Sequence, residues 1–189
     1  VPGVILTNNG GLGQATSLFL RGTNSGHVIV LVDGVRVGSA TLGTTPFELI
    51  PLAQVEKIEI VRGPRSSLYG ANAIGGVIQI FTRPGAENKT MSAKSSLGTD
   101  GFRELTAGFV SDSKVGISVR FSHLGSDGFD ACTGAAGGCY VDEPDRDGHE
   151  KSALAVRFDR QLSAGAELGL HFMYSNAETD YDGSFSNQT

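Results

Sequence analysis

The sequence predicts a mainly β chain: a mixed α+β region over residues 1–86, then an antiparallel meander of about five strands over 87–189 with the alternation of transmembrane β-barrel strands. Three observations predict it. The 189 residues include 27 glycines, no tryptophan and only 19% charged residues, a turn-rich composition that favours strands over helices. Short unbroken apolar runs such as HVIVLV at 27–32 mark buried strands in the first region. From residue 89 onward the apolar residues recur at every second position, the period of a strand with one apolar face.

In the first region, 17–20 leads into Arg21-Gly22, and the run at 27–32 ends at Asp33-Gly34, a strong hairpin dipeptide, so 35–37 is the expected partner strand. Residues 38–45 are small and polar and read as a loop. Two prolines restrict 46–52 to a short helical turn at most. Residues 55–61 alternate as a strand, 66–69 fit one helical turn, and 76–82 (GVIQIFT) form another apolar strand.

In the second region Val115, Ile117, Val119 and Phe121 alternate with Gly116, Ser118, Arg120 and Ser122. Leu154, Val156 and Phe158 alternate with Ala155, Arg157, Asp159 and Gln161, and Ala166, Leu168, Leu170, Phe172 and Tyr174 with Glu167, Gly169, His171 and Met173. Residues 90–97 and 102–110 are weaker examples. Each segment is about the length of a tilted membrane-crossing strand, roughly 9–11 residues. Arginine and aspartate on the polar face suit a wet lumen better than a dry core. A soluble sheet with one wet face gives the same alternation. The connections favour the barrel: the turns at 98–101, 111–114 and 162–165 are short and the loop at 125–150 is long and polar, the pattern of short turns on one side and long loops on the other.

Charge divides the chain in the same way. Residues 1–86 carry six Lys or Arg against four Asp or Glu, a balance of +2, and 87–189 carry nine against sixteen, a balance of −7. Neither part has the basic stripe of a nucleic-acid binder. No apolar run reaches the 18 residues of a membrane helix, and no signal peptide is present. Cys132 and Cys139 share one glycine-rich loop. With no other cysteine or paired histidine nearby they read more readily as a disulfide in an oxidising compartment than as a zinc site, two free thiols being the alternative. No nucleophile elbow, zinc-protease motif or phosphate loop is present, and His27, His123, His149 and His171 are scattered, so the chain is not expected to be an enzyme. The densest chemistry is acidic. Asp127, Asp130, Asp142, Glu143, Asp145, Asp147 and Glu150 fall in one loop, and Glu178, Asp180 and Asp182 in the next one on that side. Residues 143–148 imitate the start of an EF-hand, but its twelfth position is Leu154 and a strand follows, so an EF-hand is rejected. Carboxylates from two neighbouring loops still suit a hard cation such as calcium.

The string RGP-x-S-x-LYG-x-x-A-x-GGVI at 62–78, preceded by Pro2-Gly3-Val4, Leu20-Arg21-Gly22 and VLVDGV at 30–35, resembles the plug of TonB-dependent outer-membrane receptors. Asn8-Asn9-Gly10-Gly11, Gly13-Gln14, Arg21-Gly22-Thr23-Asn24 and His27-Val28 resemble the cobalamin-receptor branch of that family. The resemblance is strong over 2–86 and holds in outline over 87–185. It implies a plug domain (1–86) followed by the first strands (87–189) of a plugged barrel of about 22 strands. The chain is then expected to begin partway into the plug, without the segment that meets TonB. The implied function is active uptake of cobalamin across the bacterial outer membrane, powered by the TonB–ExbB–ExbD complex.

The resemblance also implies sites. Cargo would meet the segments at 8–14 and 40–44, through Asn9, Gln14, Leu42 and Gly43. Calcium would be held by Asp130, Asp145, Asp147, Asp180 and Asp182 and would order the loops. Arg21, Arg62 and Arg65 would be structural plug arginines paired with carboxylates of the barrel wall, and His171 a lumen residue. Two other readings stay open. One keeps the family but changes the cargo to a ferric siderophore, haem or another metal complex. The other, from a different class, is a secreted or surface β-sheet adhesin stabilised by calcium.

Overall fold

The structure is a computed structural model and describes residues 2–8, 10–39, 43–70, 72–82, 90–111, 115–130, 145–163 and 165–180. It is predominantly β and divides into two compact units, one of residues 1–9 and 15–83, the other of Gly10–Gln14 and Pro84–Thr189. No helix among the described residues is long and apolar enough to cross a membrane.

The first unit opens with a hairpin, β1 (Val4–Asn8) against β2 (Thr16–Leu20). Its main sheet is four-stranded, in the order β4-β3-β6-β5, with β3 at Val28–Val32, β4 at Val35–Val37, β5 at Val55–Arg62 and β6 at Gly76–Thr82. β3 and β6 run parallel in the middle, and β4 and β5 pair antiparallel on the outside. All five residues of β3 are buried, which explains its unbroken apolar sequence: both faces are covered. Val28, Val30, Val32, Ile78 and Ile80 pack with Leu18, Leu20 and Ile50 on one face, and Ile29, Leu31 and Val77 with Ala73 on the other.

The turn after β3 has left-handed φ at both Asp33 (47°) and Gly34 (83°), the geometry a two-residue hairpin needs. Asp33 also accepts hydrogen bonds from the backbone N–H and hydroxyl of Thr82, fastening the turn to the end of β6. The proline segment forms two single 3-10 turns, at Phe47–Leu49 and Leu52–Gln54. Gln54 is 1% exposed, and among the described residues neither polar atom of its amide has a hydrogen-bond partner. The helical turn α1 (Ser66–Tyr69) is tied to β6 by a hydrogen bond from Gln79 Nε2 to the Tyr69 hydroxyl, 3.0 Å.

The glycine pair that opens β6 is required by contact. A Cβ on Gly75 would overlap the Thr23 hydroxyl. One on Gly76, whose φ is +148°, would overlap the carbonyl oxygen of Val61 on β5 and come within 3.0 Å of Leu20 Cδ1. The -GGVI ending thus marks the place where β6 enters the sheet beside β5, against Leu20 of β2.

The second unit is an open antiparallel meander, β11-β10-β9-β8-β7. Its strands are β7 (Thr90–Leu97), β8 (Arg103–Ser111), β9 (Gly116–Ser126), β10 (His149–Ser163) and β11 (Ala166–Thr179). The register aligns the alternating residues into rows across the sheet. Phe109, Val119, Val156 and Phe172 form one row; Ile117, Phe158 and Leu170 lie in the next, and Phe121, Leu154 and Tyr174 in the one before. The other face carries charge in pairs: Lys94 with Glu104 at 3.7 Å, Arg157 with Asp159 at 2.6 Å, and His171 with Asp159 at 3.8 Å. The sheet thus has one continuous apolar face and one ion-paired face, the two-faced pattern of a barrel wall.

The structure corrects two sequence expectations. The strands expected at 115–122, 154–161 and 166–174 run to Ser126, begin at His149 and run to Thr179. Pairing continues in polar sequence because ladder hydrogen bonds are made by the backbone and do not depend on apolar alternation of the side chains. The turn at 98–101 lies at the same end as the long loop, not opposite it: the N–H of Asp127 and the hydroxyl of Ser126 both donate to the carbonyl of Asp100. A short connection does not by itself report its side of the membrane.

Candidate functional site

The loop-side end of the second unit gathers the polar residues that the sequence singled out. β9 ends at Ser126, β10 starts at His149 and β11 ends at Thr179, so register sets Ser126, His149 and Thr179 side by side in one row on the ion-paired face. Beyond this row the chain segments hold one another by backbone bonds. Asp147 N–H donates to the carbonyl of Phe129 at 3.3 Å, and Asp180 N–H to that of Gly148 at 2.9 Å. Arg103 pairs with Asp127 at 3.5 Å with both groups exposed, a contact worth well under about 1 kcal/mol.

Segment Gly10–Gln14 belongs to this unit. Gln14 folds back over Gly10 and donates from Nε2 to the carbonyl of Asp180, 3.1 Å. Gly11 lies against the Phe129 ring, and Gly13, at φ +80°, lies so close to His149 and Thr179 that a Cβ there would overlap both. His149 is 6% exposed and its Nδ1 shares a hydrogen bond with the Thr179 hydroxyl at 2.8 Å. It sits beyond the apolar band of the wall. Burial holds its pKa below the usual imidazole value and the nearby Lys151 ammonium pushes the same way, opposed by a hydrogen bond with the backbone of Glu178.

Of the expected cargo residues, Gln14 is in this cluster. Gly43 lies in the first unit, at φ +68° with its N–H bonded to the carbonyl of Ser39, beside a small cleft lined by Thr16, Ser17, Ser25, Thr44 and Thr45. Asn9 and Leu42 lie outside the described residues. Of the expected calcium ligands, Asp147 is buried, Asp145 and Asp180 are exposed, and Asp130 is half-buried. Among the described residues no three acidic, histidine or cysteine side chains are placed to hold a metal ion together. The donor chemistry suits calcium, but these four carboxylates alone do not form the cage. Asp182, Cys132 and Cys139 lie outside the described residues.

The plug arginines have local roles in the first unit. Arg62 Nη1 donates to the carbonyl of Pro2 at 2.9 Å. Arg21 takes a left-handed φ of 54°, donates its N–H to the carbonyl of Gly3 and lays its side chain along Gly63. Arg65 anchors the helical turn through its backbone, donating to Ala73 and accepting from Leu68 and Tyr69. Sequence reasoning missed His149, Thr179 and Phe129. Their only signal was position: His149 and Thr179 stand at strand ends, and Phe129 lies three residues past the end of β9.

Residues 1–77 match the family described as TonB-dependent Receptor Plug Domain. The chain is 39% identical over 190 aligned residues to a curated protein named vitamin B12 transporter BtuB from Photobacterium profundum, covering 98% of this chain. It is 36% identical over 189 residues to the protein of the same name from Vibrio vulnificus, again covering 98% of this chain. The chain spans 30% of the length of each. In fold it is similar to the siderophore receptor PirA from Acinetobacter baumannii, with a TM-score of 0.73 and 22% identity over 96% of this chain and 28% of that one. Residues 1–77 are thus a TonB-dependent receptor plug domain, and along almost its whole length the chain is similar to TonB-dependent receptors.

Proposed function

We propose that the whole protein is a TonB-dependent transporter that takes up cobalamin across the bacterial outer membrane. The observation that carries this is the 39% identity to a vitamin B12 transporter, in an alignment that covers 98% of this chain. Likeness of fold to a siderophore receptor at 22% identity speaks to architecture alone and does not favour a siderophore as cargo. The adhesin reading gives no account of the plug match over 1–77.

In this reading cargo enters from the loop side and meets the polar apex segments, with Asn9 and Gln14 offering amide groups to the corrin periphery and Leu42 and Gly43 completing the contact. The lipid-facing row of Phe109, Val119, Val156 and Phe172 supports a wall that stands in the outer membrane. TonB, with ExbB and ExbD, supplies the work that remodels the plug. Calcium is the ion that Asp130, Asp145, Asp147, Asp180 and Asp182 would take; it would bring the two acidic loops together.

Equilibrium binding to the intact receptor tests both parts. Cobalamin is expected to bind, and chelating calcium to weaken it about tenfold, the effect of a coupling free energy of ~1.4 kcal/mol. Tight binding of a ferric siderophore with none of cobalamin would overturn the cargo; unchanged affinity in chelator would remove calcium.

A further inference from the structure

We propose that His149 is a positioning residue for the cargo segment: its buried ring, fixed by Thr179, is the seat into which Gly13 fits, and that seat sets the position of Gln14. The inference rests on the reading that Gly10–Gln14 meets cargo.

Three observations converge. The imidazole is 6% exposed although it begins a strand at the polar end of the sheet, where side chains have water at hand. Its ring is immobilised, with Nδ1 on the Thr179 hydroxyl at 2.8 Å and Ser126 opposite on the other neighbouring strand. Against that ring lies Gly13, a backbone position with no space for a Cβ: a side chain there would overlap both His149 and Thr179. Gln14 follows directly, and its amide is held by the Asp180 carbonyl one residue past Thr179. Seat and clamp are thus consecutive along both segments, Gly13–Gln14 and Thr179–Asp180, and Phe129 flanks the first at Gly11. A ring removed from beneath Gly13 leaves a void under the segment at the point where it meets the wall.

The role makes a size-matched prediction. Gly13→Ala overlaps the ring and is strained at φ +80°, so cobalamin affinity falls. In a His149→Ala background the overlap with the ring is relieved, while the contact with Thr179 and the backbone strain remain, so adding Gly13→Ala costs less than it does alone. The difference is expected to be about tenfold, within the range that contacting residues show in double-mutant cycles. His149→Asn returns a polar atom near the Nδ1 position and is expected to recover most of the affinity that His149→Ala loses.

The experiment measures cobalamin binding and hydrogen exchange of 10–14 in the intact receptor for the four members of the cycle and His149→Asn, with the unfolding midpoint of each. The proposal expects faster exchange confined to 10–14 and weaker binding in His149→Ala, with both restored in His149→Asn. Additive effects of Gly13→Ala and His149→Ala, or unchanged exchange of 10–14 in His149→Ala, would overturn the seat. Faster exchange with undiminished cobalamin affinity would uphold the seat and overturn the cargo role of the segment instead.

Discussion

Placing arginine at Phe172 is expected to cost the intact receptor about 2–4 kcal/mol of stability in lipid and to deplete it from the outer membrane. Phe172 lies in the middle row of the apolar face, beside Val156 and two rows from Leu168 at its far edge. Its side chain is 57% exposed in the sheet as it stands, the exposure of a group that faces hydrocarbon rather than a core. A guanidinium there has no partner, whereas the neighbouring residue Met173 points to the face that already carries Arg157, Asp159 and His171. Met173→Arg is therefore expected to cost less than half as much. Urea unfolding of the receptor reconstituted in vesicles, followed by the gel shift between folded and unfolded barrel, reads both. Equal losses at 172 and 173 would mean that the sheet does not have one lipid face and one lumen face.

Gly76→Ala is expected to destabilise the first unit by about 3 kcal/mol, the sum of overpacking and a disfavoured left-handed backbone. The added methyl meets the Val61 carbonyl, a backbone atom that cannot move aside without breaking the β5–β6 ladder. Gly22 supplies the comparison. It also has a left-handed φ, +76°, but nothing lies within 4 Å of a Cβ there, so Gly22→Ala should cost only about 1 kcal/mol. Hydrogen exchange of β3 and β6 in the intact receptor distinguishes the two; similar effects would show that the contact at Gly76 is not what the glycine serves.

These two positions show what was legible in the sequence and what was not. The string at 62–78 could be read because its glycines answer to steric demands: Gly75 and Gly76 have no room for a side chain, so the pattern has little freedom to vary. The unbroken run at β3 could be read because both its faces are covered. The strands of the meander announced only their apolar stretch. His149 and Thr179 extend β10 and β11 beyond it in sequence that looks like loop, and this hid the row to which Gly13 fits. Gly10–Gln14 reads as part of the first region, yet its contacts are with His149, Thr179, Phe129 and Asp180, more than a hundred residues away. Tertiary partners at that separation leave no local periodicity. The acidic loops were legible as chemistry but not as geometry, because composition gathers carboxylates along the chain without saying whether they converge.

Cobalamin transport is tested most directly by accumulation of the labelled vitamin in cells that produce the intact receptor, measured with TonB present, with TonB deleted and with the proton gradient collapsed. Accumulation that requires the receptor and disappears in both of the latter conditions is the predicted result. Accumulation that persists without TonB, or a receptor that takes up a ferric siderophore and leaves cobalamin outside, would contradict it.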